Sequence, residues 1–285
     1  MVNPVLIERD TMVSIGNAIR NKGGATTPLA PGQMPAAINS ISGGSVEPCI
    51  ISASYLVGNF QNDNGPHNDW DKVKDLIDYE NATCLTAIFA KRKDLTIREV
   101  EEFFSHSMPN VKNLENAVLN TNYIDSDIAT HVFDLTLDSP NCTNYDTMFS
   151  GANIKHLKLT IPNHNRDFTM TYLCHNCYVT NLEIKGSGLN HLTSLAFLCN
   201  GSSFLKTATI GDDNTDYSKI QNTKSIFTAC RSLKILTIKG INVLPLASGS
   251  SIPPNIQSIK VPAALVNTYK NATNWATFAD KISAI

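Results

Sequence analysis

The stretch Phe149-Ser-Gly-Ala-Asn-Ile-Lys-His-Leu-Lys-Leu-Thr-Ile161 opens on an aromatic, passes through small residues and closes on apolar residues at every second position. The phrase returns as Leu173-Cys-His-Asn-Cys-Tyr-Val-Thr-Asn-Leu-Glu-Ile184 and again as Phe227-Thr-Ala-Cys-Arg-Ser-Leu-Lys-Ile-Leu-Thr-Ile238. Self-similarity at this period marks a repeat protein, because a unit so short cannot bury its apolar face alone and must stack on its neighbours.

Working outward, the last apolar residues of successive copies are Leu137, Ile161, Ile184, Ile210, Ile238 and Val261, separated by 24, 23, 26, 28 and 23 residues. A weaker copy lies upstream at Phe104 to Leu114. The Leu173 and Phe227 copies superpose without a gap, the Phe149 copy is one residue shorter, and the Phe197 copy carries two extra residues around Gly201-Ser-Ser. In Leu157-x-Leu159-x-Ile161, Leu182-x-Ile184 and Leu236-x-Ile238 the intervening residues are Lys, Thr or Glu, which predicts short strands with one face buried and one in water. Strands of successive copies are expected to pair in parallel. The Phe or Leu that opens each copy is expected to fill the interior from the opposite wall, with the neighbouring cysteine acting as a small hydrophobe.

Composition suits a globular chain of this kind: 285 residues, 42% hydrophobic, 23 Lys and Arg against 25 Asp and Glu, and a net charge of -2. Apart from Lys91-Arg92-Lys93 there is no basic run, so the electrostatic footprint of a nucleic-acid binder is missing. No apolar run approaches 18 residues and no charged-then-apolar leader follows Met1. Membrane insertion is therefore not expected, and synthesis in a cytoplasm without conventional export is. Seven cysteines, an odd number scattered over a long chain, do not read as a disulfide framework.

The ends differ from the middle. Residues 1–44 carry two short helical patterns, with Ile15 and Ile19 on one apolar side and Met34, Ile38 and Ile41 on another; Gly23-Gly24 and Gly43-Gly44 close them as helix C-caps. These five residues are the candidate anchor, since helices so short need something to dock on. Residues 45–90 read as a linker and connecting segment, 91–261 as the repeat region and 262–285 as a C-terminal cap, helical from Pro262 with Leu265, Tyr269, Trp275, Phe278 and Ile282 at helical spacing.

The run Ile259-Lys-Val-Pro-Ala-Ala-Leu-Val-Asn-Thr-Tyr-Lys-Asn-Ala-Thr-Asn-Trp-Ala-Thr-Phe-Ala-Asp-Lys-Ile-Ser-Ala-Ile285, together with the repeats, resembles BspA-type leucine-rich repeat proteins over about residues 95 to 285. Ile15-Gly-Asn-Ala-Ile-Arg-Asn-Lys-Gly-Gly-Ala-Thr-Thr-Pro-Leu29 with Met34-Pro-Ala-Ala-Ile38 resembles an N-terminal segment of phage structural proteins that precedes a variable fibre or adhesin part. The resemblance implies an α/β repeat fold: a leucine-rich-repeat solenoid with short parallel strands, an N-terminal helical anchor and a C-terminal helical cap. It implies a bacteriophage virion structural protein, a head or tail fibre for host-surface binding. Its partners would be other capsid or tail proteins through the N-terminal region, and a host-surface glycan or protein. Fibres assemble as homo-oligomers, so a trimer is expected. A decoration protein of capsid or baseplate without receptor binding, and a bacterial surface adhesin, are the alternatives; the family's usual signal peptide and wall module are not visible in this sequence.

Enzymatic constellations are thin, so no catalytic residue, cofactor or metal is expected. Cys174-His-Asn-Cys177 is half of a zinc pattern without its second half. Asp212-Asp-Asn-Thr-Asp216 has oxygen-ligand spacing but lacks the glycine and distal glutamate of a calcium loop, and reads as a polar turn. The candidate binding residues are Phe60, His67 and Trp70 in an aromatic and polar cluster, and the outward strand positions Lys158, Thr160, Glu183, Lys185, Thr209, Thr237 and Lys239.

Overall fold

A computed structural model of the protein describes residues 77, 79–90, 95–122 and 128–285. The anchor residues Ile15, Ile19, Met34, Ile38 and Ile41 and the candidates Phe60, His67 and Trp70 lie outside the described residues.

The described chain is an α/β fold whose main feature is a parallel seven-stranded sheet. Its strands are β1 (Val132–Thr136), β2 (His156–Thr160), β4 (Asn181–Lys185), β6 (Thr207–Ile210), β7 (Ile235–Ile238), β8 (Ser258–Val261) and β9 (Ile282–Ala284), hydrogen-bonded in that order. The alternation does what it predicts. Phe133, Leu157, Leu182, Ala208, Leu236, Ile259 and Ile282 form one inward row, and Leu135, Leu159, Ile184, Ile210, Ile238 and Val261 the next, each at most 3% exposed. One register differs from the sequence expectation. Ile184 pairs with Leu159, so that step is 25 residues and Ile161 lies one row beyond.

A second parallel ladder faces the first. It contains the two short strands β3 (Phe168–Thr169) and β5 (Leu192–Ser194), and single bridges carry it from Cys84 through Asn113, Asn144, Thr169 and Ser194 to Asn222. Each rung repeats the same bonds: Ala87 N–H donates to Glu115 C=O (2.9 Å), Asn116 to Asp146 (3.1 Å), Thr147 to Thr171 (2.9 Å), Tyr172 to Ala196 (2.9 Å) and Phe197 to Lys224 (2.7 Å). These donors, with Ser225, share a left-handed backbone at φ between 54° and 59°. A second left-handed residue follows four positions later, at Asn120, Gly151, Asn176, Gly201 and Ala229. Asn and Gly alternate there for a steric reason. A Cβ on Gly151 would lie 1.8 Å from Asn120 Oδ1, and one on Gly201 2.0 Å from Asn176 Oδ1, so each asparagine occupies the space the next rung leaves empty.

The turn ladder corrects three readings. Cys174, not Leu173, is equivalent to Phe227 and Phe149, because Phe149 N–H bonds Leu173 C=O and Cys174 N–H bonds Leu198 C=O two residues after each left-handed position. Phe197 does not fill the interior: it occupies a left-handed position at the surface and stacks on Tyr172 at 4.5 Å, while Leu198 and Cys199 are buried. The ladder also starts before residue 91, since Leu85, Ala87 and Phe89 N–H groups bond the carbonyls of Asn113, Glu115 and Ala117.

Buried side chains of both ladders join in one hydrophobic cluster. The cysteines serve it in two ways. Cys174 and Cys199 pack as small hydrophobes, whereas Cys230 Sγ donates to Cys199 C=O (2.9 Å), as Ser202 Oγ does to Cys174 C=O (2.5 Å) and Thr121 Oγ1 to Phe89 C=O (2.7 Å). All three donors stand five residues after the first left-handed residue of their rung, so Ser, Thr and Cys are interchangeable there as short hydrogen-bond donors.

Helix α1 (Ile97–Phe104) packs on β1. Thr96 and Glu99 close a capping box, Thr96 Oγ1 accepting from Glu99 N–H (3.3 Å) and Glu99 Oε2 from Thr96 N–H (2.5 Å), and Ile97, Val100, Phe103 and Phe104 form the buried stripe. The upstream copy expected from Phe104 thus begins at the end of a helix. The C-terminal helical cap is also corrected. Only Val266–Asn271 (α2) is α-helical; short 3-10 turns flank it at Ala263–Leu265 and Ala276–Phe278, and the chain ends by adding β9 to the sheet. Trp275 Nε1 donates to Leu244 C=O (2.7 Å) and Tyr269 Oη accepts from Leu244 N–H (2.9 Å), so these aromatics serve as polar and apolar plugs rather than as one helical stripe.

Candidate interaction surface

The outward positions of the sheet bring several sequence-predicted residues together. Lys158, Glu183, Thr209 and Thr237 stand on successive strands in one row, which begins at Asp134 and continues to Lys260 and Ser283. Thr160 and Lys185 are neighbours in the adjacent row, and Gly211 separates Lys185 from Lys239 there. All seven are partly buried.

Most charges on this face are paired with one another, and Lys260 Nζ bonds Ser283 Oγ (3.0 Å) instead. Lys158 Nζ lies 2.7 Å from Asp134 Oδ2, a bond that raises the lysine's pKa; Lys185 lies 3.3 Å from Glu183 and Lys239 3.7 Å from Asp213. A third row carries its own chain of hydrogen bonds, His156 Nδ1 to Asn181 Nδ2 (2.6 Å) and Thr207 Oγ1 to Asn181 Oδ1 (2.8 Å). Cross-strand pairs of this kind contribute roughly 0.2 to 1 kcal/mol each to the sheet. The face is consequently polar, with most of its charges paired.

Between the ladders, short loops tie adjacent rungs. Asp212 Oδ1 accepts from Asn214 N–H (3.1 Å) and its Oδ2 from Gly186 N–H (3.0 Å), and Asp216 Oδ1 accepts from Ser218 N–H and Asn242 Nδ2. Those carboxylates cap backbone, as a polar turn requires. Asp167 Oδ1 holds Lys219 Nζ (2.6 Å) and His191 Nδ1 (3.2 Å), joining three rungs at the surface; the lysine bond keeps the Asp167 carboxyl below its ordinary range.

The polar groups that penetrate the core are buried and bonded to one another. Tyr145 Oη sits 2.8 Å from Ser139 Oγ and 3.3 Å from His164 Nε2; burial pushes the tyrosine pKa well up and the histidine down, so both are neutral near pH 7. Burial drives the Cys230 thiol up to about 12 and Cys142 up to about 11, and Cys174, Cys177 and Cys199 also lie above the usual thiol range. A nucleophilic cysteine needs the opposite environment. Cys177 Sγ donates to Ala152 C=O (3.0 Å), which makes it a structural donor. Among the described residues no three His, Cys, Asp or Glu converge as a metal site. A cleft of about 550 Å³ between α1 and β1 is lined by Glu101, Asp134 and Asp138, of which Glu101 pairs with His131 (2.8 Å) and Asp134 with Lys158.

One surface escapes the sequence reading. Tyr178 and Phe204 are 45% and 52% exposed, their rings nearly parallel at 18° with centroids 5.8 Å apart. Lys155 Nζ lies over both, 5.1 Å from the tyrosine ring and 5.8 Å from the phenylalanine ring. The signal available in sequence is an aromatic between the buried Cys177 or Ser202 and the strand that follows, off the alternating pattern. No family model matches this chain, and no curated protein matches it.

Proposed function

We propose that the protein is a structural component of a bacteriophage particle, a head or tail fibre whose leucine-rich-repeat solenoid presents an extended surface to the host. The observation that carries the reading is the double ladder, in which the same bonds recur rung after rung from Leu85 to the end of the sheet, with every strand parallel to the last. Such a ladder behaves as a one-dimensional stack whose faces are broad and whose chemistry changes by single substitutions at fixed positions. The sequence likeness of residues 15–38 to phage structural proteins supplies the particle half of the proposal, with that segment joining capsid or tail. Recognition would rest on many weak contacts, and several copies on one particle turn weak sites into tight attachment.

A decoration role is favoured by a different observation. Three lysines of the sheet face, Lys158, Lys185 and Lys239, are already paired with Asp134, Glu183 and Asp213, which suits a surface that covers rather than grips. Immunogold labelling of phage particles with antibody against residues 95–285 separates the readings. Label at the tail tip is the result expected of a receptor-binding fibre, and label scattered over the head that of a head fibre or decoration protein. Particles without label would overturn the virion reading and leave a bacterial surface adhesin.

A further inference from the structure

The edge of the sheet where the strands begin differs in charge from its face. Lys155, Thr180, Lys206, Lys234 and Gln257 occupy one ladder position on successive rungs, each N–H after Lys155 donating to the carbonyl of the residue before it in the column. Among the described residues, no carboxylate lies within ion-pairing distance of Lys155, Lys206 or Arg231, whereas Lys158, Lys185 and Lys239 on the neighbouring face each have one. Lys206 and Arg231 are exposed, and the Tyr178 and Phe204 rings lie beside this column with the Lys155 ammonium held over both.

An exposed pair of parallel rings next to uncompensated cations, on a chain of net charge -2, is complementary to an acidic polymer with apolar faces. The π faces already attract one positive group, Lys155, and attract the polarised C–H faces of a sugar ring in the same way. Rungs are about 4.8 Å apart, close to the length of one sugar unit in an extended chain, so Lys155 and Lys206 stand two units apart with the neutral Thr180 between them. Lys234 continues the row one rung past Lys206, its Nζ 3.4 Å from Asn255 C=O, so cations recur along the edge at sugar-unit spacing.

We propose that the edge formed by Lys155, Tyr178, Phe204 and Lys206 binds a linear acidic polysaccharide lying along the ladder. The proposal deepens the host-surface reading above and rests on it for its biological setting. The rings hold the sugar faces and the two lysines meet carboxylate or phosphate groups, with Arg231 extending the track.

The test uses the purified full chain and affinity electrophoresis through gels containing hyaluronate, polygalacturonate, dextran or polyaspartate. The expected result is retardation by the two acidic polysaccharides, weakened by added salt, with free passage through dextran and polyaspartate. Replacing both rings (Tyr178→Ala with Phe204→Ala) lowers the affinity about tenfold. Lys206→Ala lowers it as well and flattens its salt dependence. These side chains are exposed, so thermal melting should be unchanged and serves as the folding control. Retardation by polyaspartate as strong as by the polysaccharides would reduce the edge to a plain charge patch and overturn the proposal, as would binding that survives the ring variant or no retardation at all. Particles labelled by the antibody but carrying a chain that ignores acidic sugars would remove this inference alone; sugar binding without label would remove the virion reading alone.

Discussion

The strand ladder and the turn ladder run along the same rungs and share one core, yet residues specify them differently. On the strand ladder the side chain decides. Inward rows are aliphatic or aromatic with Ala208 the small exception, and outward rows vary from Asp134 to Lys158 to Thr209. On the turn ladder the backbone decides: Ala87, Asn116, Thr147, Tyr172, Phe197 and Ser225 share a left-handed conformation and have no side-chain property in common. One wall tolerates any residue that keeps an alternation, the other any residue that can hold a backbone shape. An interaction surface can therefore be rewritten on the first wall, while the second keeps the rungs in register.

The largest expected effect challenges the claim that the ladders share a core. Ile184→Ala on the strand side and Leu198→Ala on the turn side each remove a fully buried side chain and should each cost about 2 to 5 kcal/mol, with one cooperative transition in urea. Two transitions, or a loss on one side only, would separate the walls into independent units.

A middle-sized effect probes the donor position. Ser202 Oγ both donates to Cys174 C=O and accepts from Cys177 N–H (3.0 Å), so Ser202→Ala removes two buried hydrogen bonds, leaves Cys177 N–H only its 3.3 Å bond to Cys174 C=O, and should cost about 1 to 3 kcal/mol. Ser202→Cys, the residue found at the equivalent Cys230, should recover most of that in chemical denaturation. Equal losses from both variants would show that the site measures size rather than hydrogen bonding.

The smallest effect has opposite signs on the two walls. Ala229 holds φ at 63°, a conformation that costs a non-glycine residue roughly 1 kcal/mol or more, so Ala229→Gly should be neutral or stabilising by up to about 1 kcal/mol after the added freedom of the unfolded chain is counted. Thr237→Gly on β7 should destabilise by about 1 kcal/mol. A loss at both positions, measured as urea midpoints, would erase the distinction between the walls.

The same difference decides what could be read from sequence. Leu157, Leu159, Leu182 and Ile184 announce their strands because burial on one face forces a period of two, and parallel pairing follows from their spacing. The turn ladder is nearly silent, since left-handed positions filled by Thr147, Tyr172 or Phe197 leave no compositional mark. Hence the one-residue slip at Leu173, the displaced Ile161 and the misplacement of Phe197. Helix α1 carries a legible signal in Thr96-x-x-Glu99 before an apolar stripe, but the repeat phrase that begins at Phe104 overlaps its end and masks it. The alternation alone puts Lys158, Glu183, Thr209 and Thr237 on outward strand positions, but their standing in one row depends on which strand lies beside which. The Tyr178 and Phe204 edge depends on two residues 26 positions apart meeting across a rung, which a single copy of the phrase does not contain.

The strand-to-strand bonds span nearly the same stretch of chain each time, 24 residues from Asp134 to Lys158 and 23 from Lys260 to Ser283, and only the surface bond of Lys219 to Asp167 reaches across two rungs among the described residues. Each strand added to the sheet therefore closes a loop of almost constant length, and the entropy lost in closing it does not grow as the stack lengthens. Folding can start at any adjacent pair and spread in both directions like a zipper. Its time course should depend on how many rungs must be added, not on the distance between the chain's first and last strands.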